Sequence, residues 1–382
     1  MSASSDIDYS QIPLGPPPPG GTSNFIDPPR NSWATKVSVY VTLPLIFIFI
    51  LLRIYARVRV TRKFDLDDWM FVAGCIFSFS YCGIIISWMY QDVYGRHYWD
   101  IPATLLTVEF MKMTLAVEIL YLVAAIFIKL SLLTLYYRVF RPSKYTTILA
   151  WVGAALVVLP YLAFIIVYLV ITIPRPGEGG WIGRETLARS GRHNRDTSLS
   201  QGIIGTITDF YILTIPLAMI YSLHLKTSKK IGIGSIFVMG SAACAFSIMG
   251  IYFRKQSADA VPRDSIWYGS YTNALAVAEL NIGLVCSCIP VIFVLFKWPA
   301  DRLKAAWGSV KSYVSSHTKS SRMATSKDTL VTSEAPGLSG GSQGTPGLGT
   351  KSSEYYELQS IDYDYHAYVQ GGVKKEDRVK KS

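Results

Sequence analysis

Long uncharged runs alternate along this chain with short bands of charge. Trp69–Tyr90 holds 22 residues without Asp, Glu, Lys or Arg, Thr146–Ile173 holds 28 and Ile231–Phe253 holds 23. A helix needs roughly 20 apolar residues to cross the hydrocarbon core of a bilayer. Inside lipid the backbone must bond within its own segment, so such runs are helices. Four further runs fit the same pattern. Val37–Leu52 extends outward to Trp33, Met113–Tyr137 carries Glu118 and Lys129, Gln201–Leu223 carries Asp209, and Tyr271–Phe296 carries Glu279. The predicted fold is therefore an all-α membrane protein, a bundle of seven transmembrane helices over residues 33–297.

Composition agrees with this pattern. Half of the 382 residues are hydrophobic and only 16% are charged, against about 25% charged in soluble domains. That excludes a disordered chain and a disulfide scaffold, and argues against a soluble enzyme. Residues 1–32 are polar and proline-rich, with Pro16–Pro19 in a row and no basic region ahead of an apolar stretch. They read as a disordered segment and not as a signal peptide. Residues 298–314 place Leu303, Trp307, Val310 and Val314 at helical spacing among Lys and Arg, the pattern of an amphipathic helix lying in the membrane interface. The Ser-, Gly- and Tyr-rich stretch 315–382 reads as a disordered cytoplasmic tail, either passive or a phosphorylation-controlled partner site.

The positions of Lys and Arg set the expected orientation. Arg53, Arg57, Arg59, Arg62 and Lys63 follow the first span, Arg138, Arg141 and Lys144 the third, and Lys226, Lys229 and Lys230 the fifth. The alternate loops are longer and diluted by acids, although 174–200 holds five arginines. This predicts the N-terminus outside and the C-terminus in the cytoplasm of a plasma-membrane protein. The net charge of +11 then faces anionic lipid and calls for no nucleic acid.

Four charges fall at bilayer depth, where an ionisable group costs about 2.5–3.5 kcal/mol on insertion scales and usually faces the bundle interior with a partner. They are Glu118, Lys129, Asp209 and Glu279. Glu118 and Lys129 are 11 residues apart, about 20° past three full turns, so they share one face of the third helix with Tyr121 nearby. Asp209 and Glu279 each lie about eight residues into their spans, roughly 12 Å deep, and Lys129 about 24 Å deep. Straight helices would leave several Å between the lysine and the acids, for tilt or a water to close. Two compatible readings follow: a ligand-binding cavity among helices 3, 5 and 7, or an internal polar network that fixes helix packing. Pro160, Pro216 and Pro290 interrupt spans 4, 5 and 7, as hinges or as fixed kinks. Asp67 and Asp68 suit a helix N-terminus. Tyr94, His97 and Trp99 read as the rim of a ligand opening or as an interfacial aromatic belt.

Catalytic chemistry finds no support. The histidines fall outside the span interiors, so a zinc site of facing helices is not formed, and no Gly-rich phosphate loop is present. All five cysteines lie within predicted spans, which predicts no extracellular disulfide. Neither a metal nor a cofactor is expected.

The stretches Leu52–Trp69 (LRIYARVRVTRKFDLDDW), Tyr94–Pro102 (YGRHYWDIP), Lys129–Phe140 (KLSLLTLYYRVF), Thr208–Pro216 (TDFYILTIP) and Glu279–Pro290 (ELNIGLVCSCIP), in this order, resemble the fungal rhodopsin-like seven-helix integral membrane proteins. The resemblance implies a seven-helix membrane domain, receptor-like, in a family that also includes members of mycotoxin gene clusters. The chain departs from the family in having no cysteine in the loop before helix 5. Retinal is not implied, because the span Tyr271–Phe296 has no lysine for a Schiff base. Helix 3 ends in Tyr137-Arg138-Val139, where Arg138 is either a receptor-type arginine or a positive-inside anchor. The functions left open are a receptor with an extracellular small ligand and a cytoplasmic signalling partner, a small-solute or ion transporter, and a membrane scaffold with a recruiting tail.

Overall fold

A computed structural model of the chain describes residues 9–62, 64–139, 144–222, 227–260 and 264–292. The expected interfacial helix at 298–314 and the tail at 315–382 lie outside the described residues. Seven helices dominate: α1 (Trp33–Tyr55), α2 (Leu66–Met89), α3 (Val108–Val139), α4 (Lys144–Thr172), α5 (Arg184–Ser222), α6 (Thr227–Asp259) and α7 (Ser265–Ile292). Each contains a stretch long and apolar enough to cross a membrane. Among the described residues no strand forms, and β pairing is limited to an isolated bridge between Pro13 and Pro102.

The spanning stretches of the helices are apolar all round, which in a chain of this length marks segments surrounded by lipid. Trp151, Leu159 and Ile166 of α4, and Val41, Phe47 and Ile48 of α1, are exposed. The polar side chains instead point inward. α3 and α7 are the most buried spans, and α1, α4 and α6 the least. α3 packs against α2, α4 and α5. α7 is tied to α1 by Thr35 and Ser38, whose hydroxyls donate to the carbonyls of Ser270 and Ala274, and by Asn281, whose amide donates to Thr42 at 2.8 Å. Close approach of α7 to α3 depends on Gly283, where a Cβ would sit 2.8 Å from Ile128.

Two boundaries differ from the hydropathy pattern for one reason. α5 begins at Arg184 and α6 continues to Asp259, both beyond the apolar runs. The additional turns support each other: Arg195 donates to the Ala258 carbonyl and Arg254 to Ser198.

Of the proline-rich segment, expected to be disordered over 1–32, the described part, residues 9–32, lies against the α2–α3 loop. Leu14 N–H donates to the Ile101 carbonyl at 3.0 Å, Ala103 to Ile12 at 2.8 Å, and Asn31 to Gly95 at 2.7 Å. The loop leaves backbone groups without partners, and consecutive prolines lose little entropy when ordered. At Gly95, with φ +73°, an added Cβ would lie 2.9 Å from the Asn31 backbone.

The same loop grips α7. The His97 ring lies between Trp99 and Trp267, with ring centroids at 4.6 and 3.9 Å, and its Nδ1 is 2.6 Å from Asp264. Tyr94 is buried, its hydroxyl 2.9 Å from Thr35, and burial pushes its phenol up to about 12. These residues thus fasten the loop to α1 and α7. They do not rim an opening.

Candidate functional site

The inward stripe of α3 meets α5, α6 and α7 at one polar centre. Lys129 is 4% exposed. Its ammonium donates to Asp209 at 2.8 Å, to Thr208 Oγ1 at 2.8 Å and to the Gly205 carbonyl at 3.1 Å, and stands 5.3 Å from the Tyr161 ring centroid. Three acceptors use all three N–H donors of a lysine. Asp209 also accepts the Ser247 hydroxyl at 2.5 Å. The gap expected from straight helices is therefore closed directly, without a bridging group.

Glu279 stands apart from this pair. Both of its oxygens lie 3.0 Å from the Tyr121 hydroxyl, which has one proton to donate. Among the described residues no cation lies in ion-pair contact with it. Glu118, on the same α3 face, is half-buried. The structure thus brings together Tyr121 with Glu279 and Lys129 with Asp209, and leaves Glu118 outside both pairs.

A cavity of about 50 Å³ lies between α3, α5, α6 and α7, bordered by Lys129, Asp209 and Glu279, with Ile128, Leu132, Ile212 and Leu280 among its apolar walls. A second void of about 10 Å³ adjoins Glu279 and Tyr121 and reaches Ser247 and Arg254. Ser247 and Arg254 belong to α6, which sequence reasoning left out of the site. Their signal was present: Ser247, Gly250 and Arg254 repeat at i, i+3 and i+7, one helical face. Arg254 Nη1 donates to the Ser198 hydroxyl at 2.7 Å.

A second cluster lies further along the bundle, where α1, α2 and α3 meet. Arg53 and Arg57, from the last turn of α1 and the π-helical turn Ala56–Thr61, bind Asp67 and Asp68 of α2 through four contacts of 2.6–3.0 Å. All four side chains are at most 5% exposed. Arg138 of α3 adds contacts to Asp65 and Asp67 at 2.8 and 3.0 Å. Arg53 also donates to the Ser287 carbonyl of α7. Asp68 does cap α2, accepting the Asp65 N–H at 3.2 Å, but both aspartates belong to an ion-pair network as well. Arg138 is one of its members. Three arginines and three aspartates balance, so this cluster is electrically closed.

All five cysteines are buried and unpaired. Among the described residues no three His, Cys, Asp or Glu side chains converge as metal ligands would.

The family model described as the fungal rhodopsin domain matches residues 52–298. The chain is 27% identical over 246 residues to "Receptor GIN3" of Arthrobotrys oligospora, covering 63% of this chain and 57% of that protein. It is 25% identical over 195 residues to a "SAT4 family membrane protein" of Emericella nidulans, covering 50% and 47%. A third relative, "Polyenoic acids biosynthesis gene cluster protein Ba17b" of Metarhizium anisopliae, is 26% identical over 226 residues, 56% of this chain and 58% of the relative. The chain thus matches about half the length of these curated relatives. No solved structure matches it.

Proposed function

The chain belongs to the fungal rhodopsin domain family, and from that premise we propose that it is a receptor-like multi-pass protein of the plasma membrane, with its N-terminus outside. A small extracellular ligand enters the cavity between α3, α5, α6 and α7, and a cytoplasmic partner reads the resulting helix shift at the inner loops and tail. The protein performs no catalytic step and holds no retinal. One observation carries this reading: a cavity inside the bundle bordered by Glu279, a carboxylate that has no cation in ion-pair contact among the described residues. A purely structural network would close its charges, as the Arg53–Asp67 cluster does. The printed name of the Arthrobotrys relative, a receptor, points the same way.

The test uses cells producing the full chain, challenged with conditioned growth medium and read by cytosolic calcium. Ala243→Leu, which fills the cavity wall, is expected to abolish the evoked signal at unchanged surface level. An unaltered signal refutes the cavity reading. Solute flux into liposomes containing only this protein would establish a transporter instead.

A further inference from the structure

We propose that the ligand of this cavity is a small protonated amine, held by Glu279 and Tyr121. This rests on the reading of the cavity as a ligand site, and it comes from counting charge. Among the described residues five acidic or basic side chains bear on the space between α3, α5, α6 and α7: Lys129, Asp209, Arg254 and Glu279 line the two voids, and Glu118, which lines neither, stands one turn before Tyr121 on the same α3 face. Two are cations and three are acids, which leaves one negative charge in excess. Lys129 and Asp209 satisfy each other, with Thr208, Gly205 and Ser247 completing their hydrogen bonds. Arg254 interacts at longer range with both Glu118 and Glu279 and spends its close hydrogen bonds on Ser198. Glu279 retains most of its acceptor capacity, and it borders both voids.

An uncompensated carboxylate inside the membrane is costly and is relieved either by a proton or by a bound cation. An anionic ligand would double the excess, and a neutral one would leave it. A cation cancels it. Divalent metal ions such as calcium take six or more oxygens, whereas the open acceptors here are the two Glu279 oxygens, on a side chain that borders both voids, and the Tyr121 hydroxyl, which borders the adjoining void of about 10 Å³. Three acceptors match the three donors of an ammonium group. The space of about 50 Å³ holds about three to five waters at roughly 10–15 Å³ each, room for an ammonium and a short alkyl chain. Ile128, Leu132, Ile212 and Leu280 would cover that chain.

The experiment measures the melting temperature of the purified full chain in zwitterionic nanodiscs. Methyl-, ethyl- and propylammonium chloride are titrated at constant ionic strength against propionate, propanol, sodium and potassium. Saturable stabilisation by the alkylammonium ions alone is expected. Glu279→Gln should raise their apparent Kd about tenfold to a hundredfold, the size of one lost charge-assisted hydrogen bond. Glu279→Asp, which keeps the charge on a shorter stem, should retain a weakened shift. If Glu279→Gln does not fold, the comparison of propylammonium with propionate on the unaltered protein decides. Equal shifts from sodium or potassium, or an ammonium effect unchanged in Glu279→Gln, overturn the proposal. Saturable stabilisation by propionate or propanol that Ala243→Leu abolishes sinks the amine assignment and leaves the ligand cavity standing. No saturable shift from any probe sinks the amine, and a calcium response that survives Ala243→Leu sinks the cavity as well.

Discussion

Replacing Asp67 by asparagine removes one charge from the centre of the buried cluster where α1, α2 and α3 meet. The Asp67 carboxylate meets three guanidinium groups, Arg53 at 3.0 Å, Arg57 at 2.6 Å and Arg138 at 3.0 Å, and is 1% exposed. The substitution turns a balanced set of three arginines and three aspartates into one with an excess positive charge, in which Arg53 and Arg57 are sealed from water. Each charge-assisted hydrogen bond is worth about 1.5–3 kcal/mol, but the asparagine oxygen keeps one acceptor and Asp68 remains. Breaking a buried ion pair from one side costs about 3–5 kcal/mol, and we take that range. For 150–250 residues each kcal/mol shifts Tm by about 2–4 °C, so the expected fall is about 6–20 °C. Thermal unfolding in nanodiscs, read with a thiol-reactive dye on the buried cysteines, measures it. Adding Arg57→Met leaves Arg53 and Arg138 against Asp65 and Asp68, balanced again, and should recover more than half of the loss. A single variant that melts with the unaltered protein, or a double variant that shows the summed cost of both singles, refutes the balanced-cluster argument.

Lys129→Met should lower the melting temperature by a comparable amount, because Asp209 is left with Ser247 as its close partner; Glu279→Gln should not lower it, because no cation pairs with Glu279, and the same melts compare the two. His97→Ala removes a ring stacked on both Trp99 and Trp267. At about 0.5–1.5 kcal/mol per aromatic pair, hydrogen exchange in residues 96–100 should accelerate about tenfold or more, and unchanged protection would show that the ring does not hold the loop. Glu178 accepts the Arg175 N–H, the Thr186 hydroxyl and Arg189, and these hold its carboxyl below the usual range. A lowered pKa stabilises above the unfolded value and is lost as pH falls through the folded one. Protection of residues 175–189 should therefore persist through about pH 4.3, the ordinary glutamate value, and disappear only below it, and exchange measured from pH 7 downward checks this.

The seven spans were legible because lipid imposes a length and a polarity on every crossing segment, and both are visible without knowing any partner. Lys129, Asp209 and Glu279 were legible for a related reason: a charge inside an apolar run must face something; Glu118, read by the same rule, stands outside both pairs, and Tyr121 was legible only by its place on the same face of α3. Arg254 was not, since the uncharged run stops at Phe253 while the helix continues, held by α5 turns that are themselves polar. The Arg53–Asp67 cluster was missed for a different reason. Taken singly, its arginines satisfy the loop-charge rule and its aspartates suit a helix start. Only the fold shows that α1, α2 and α3 bring them into contact. The segment 9–32 escaped composition altogether, because its partners are backbone groups of the loop it covers.

The two clusters share two helices, and that sharing links the cavity beside Glu279 to the Arg53–Asp67 cluster. α3 carries Lys129 at one level and Arg138 nine residues later, about 13 Å along the axis. α7 carries Glu279 and, eight residues later, Ser287, whose carbonyl takes Arg53. A straight helix moves as a body over two turns, so a shift of α7 at Glu279 reaches the Arg53 contact. Within the far cluster the bonds are unequal. Arg53, Arg57, Asp67 and Asp68 are sealed, whereas the Arg138–Asp65 contact has side chains 33% and 45% exposed, where an ion pair is worth about 1 kcal/mol or less. A helix displacement that must break something will therefore break Arg138–Asp65 first, and the sealed four will move together as one piece with α1 and α2.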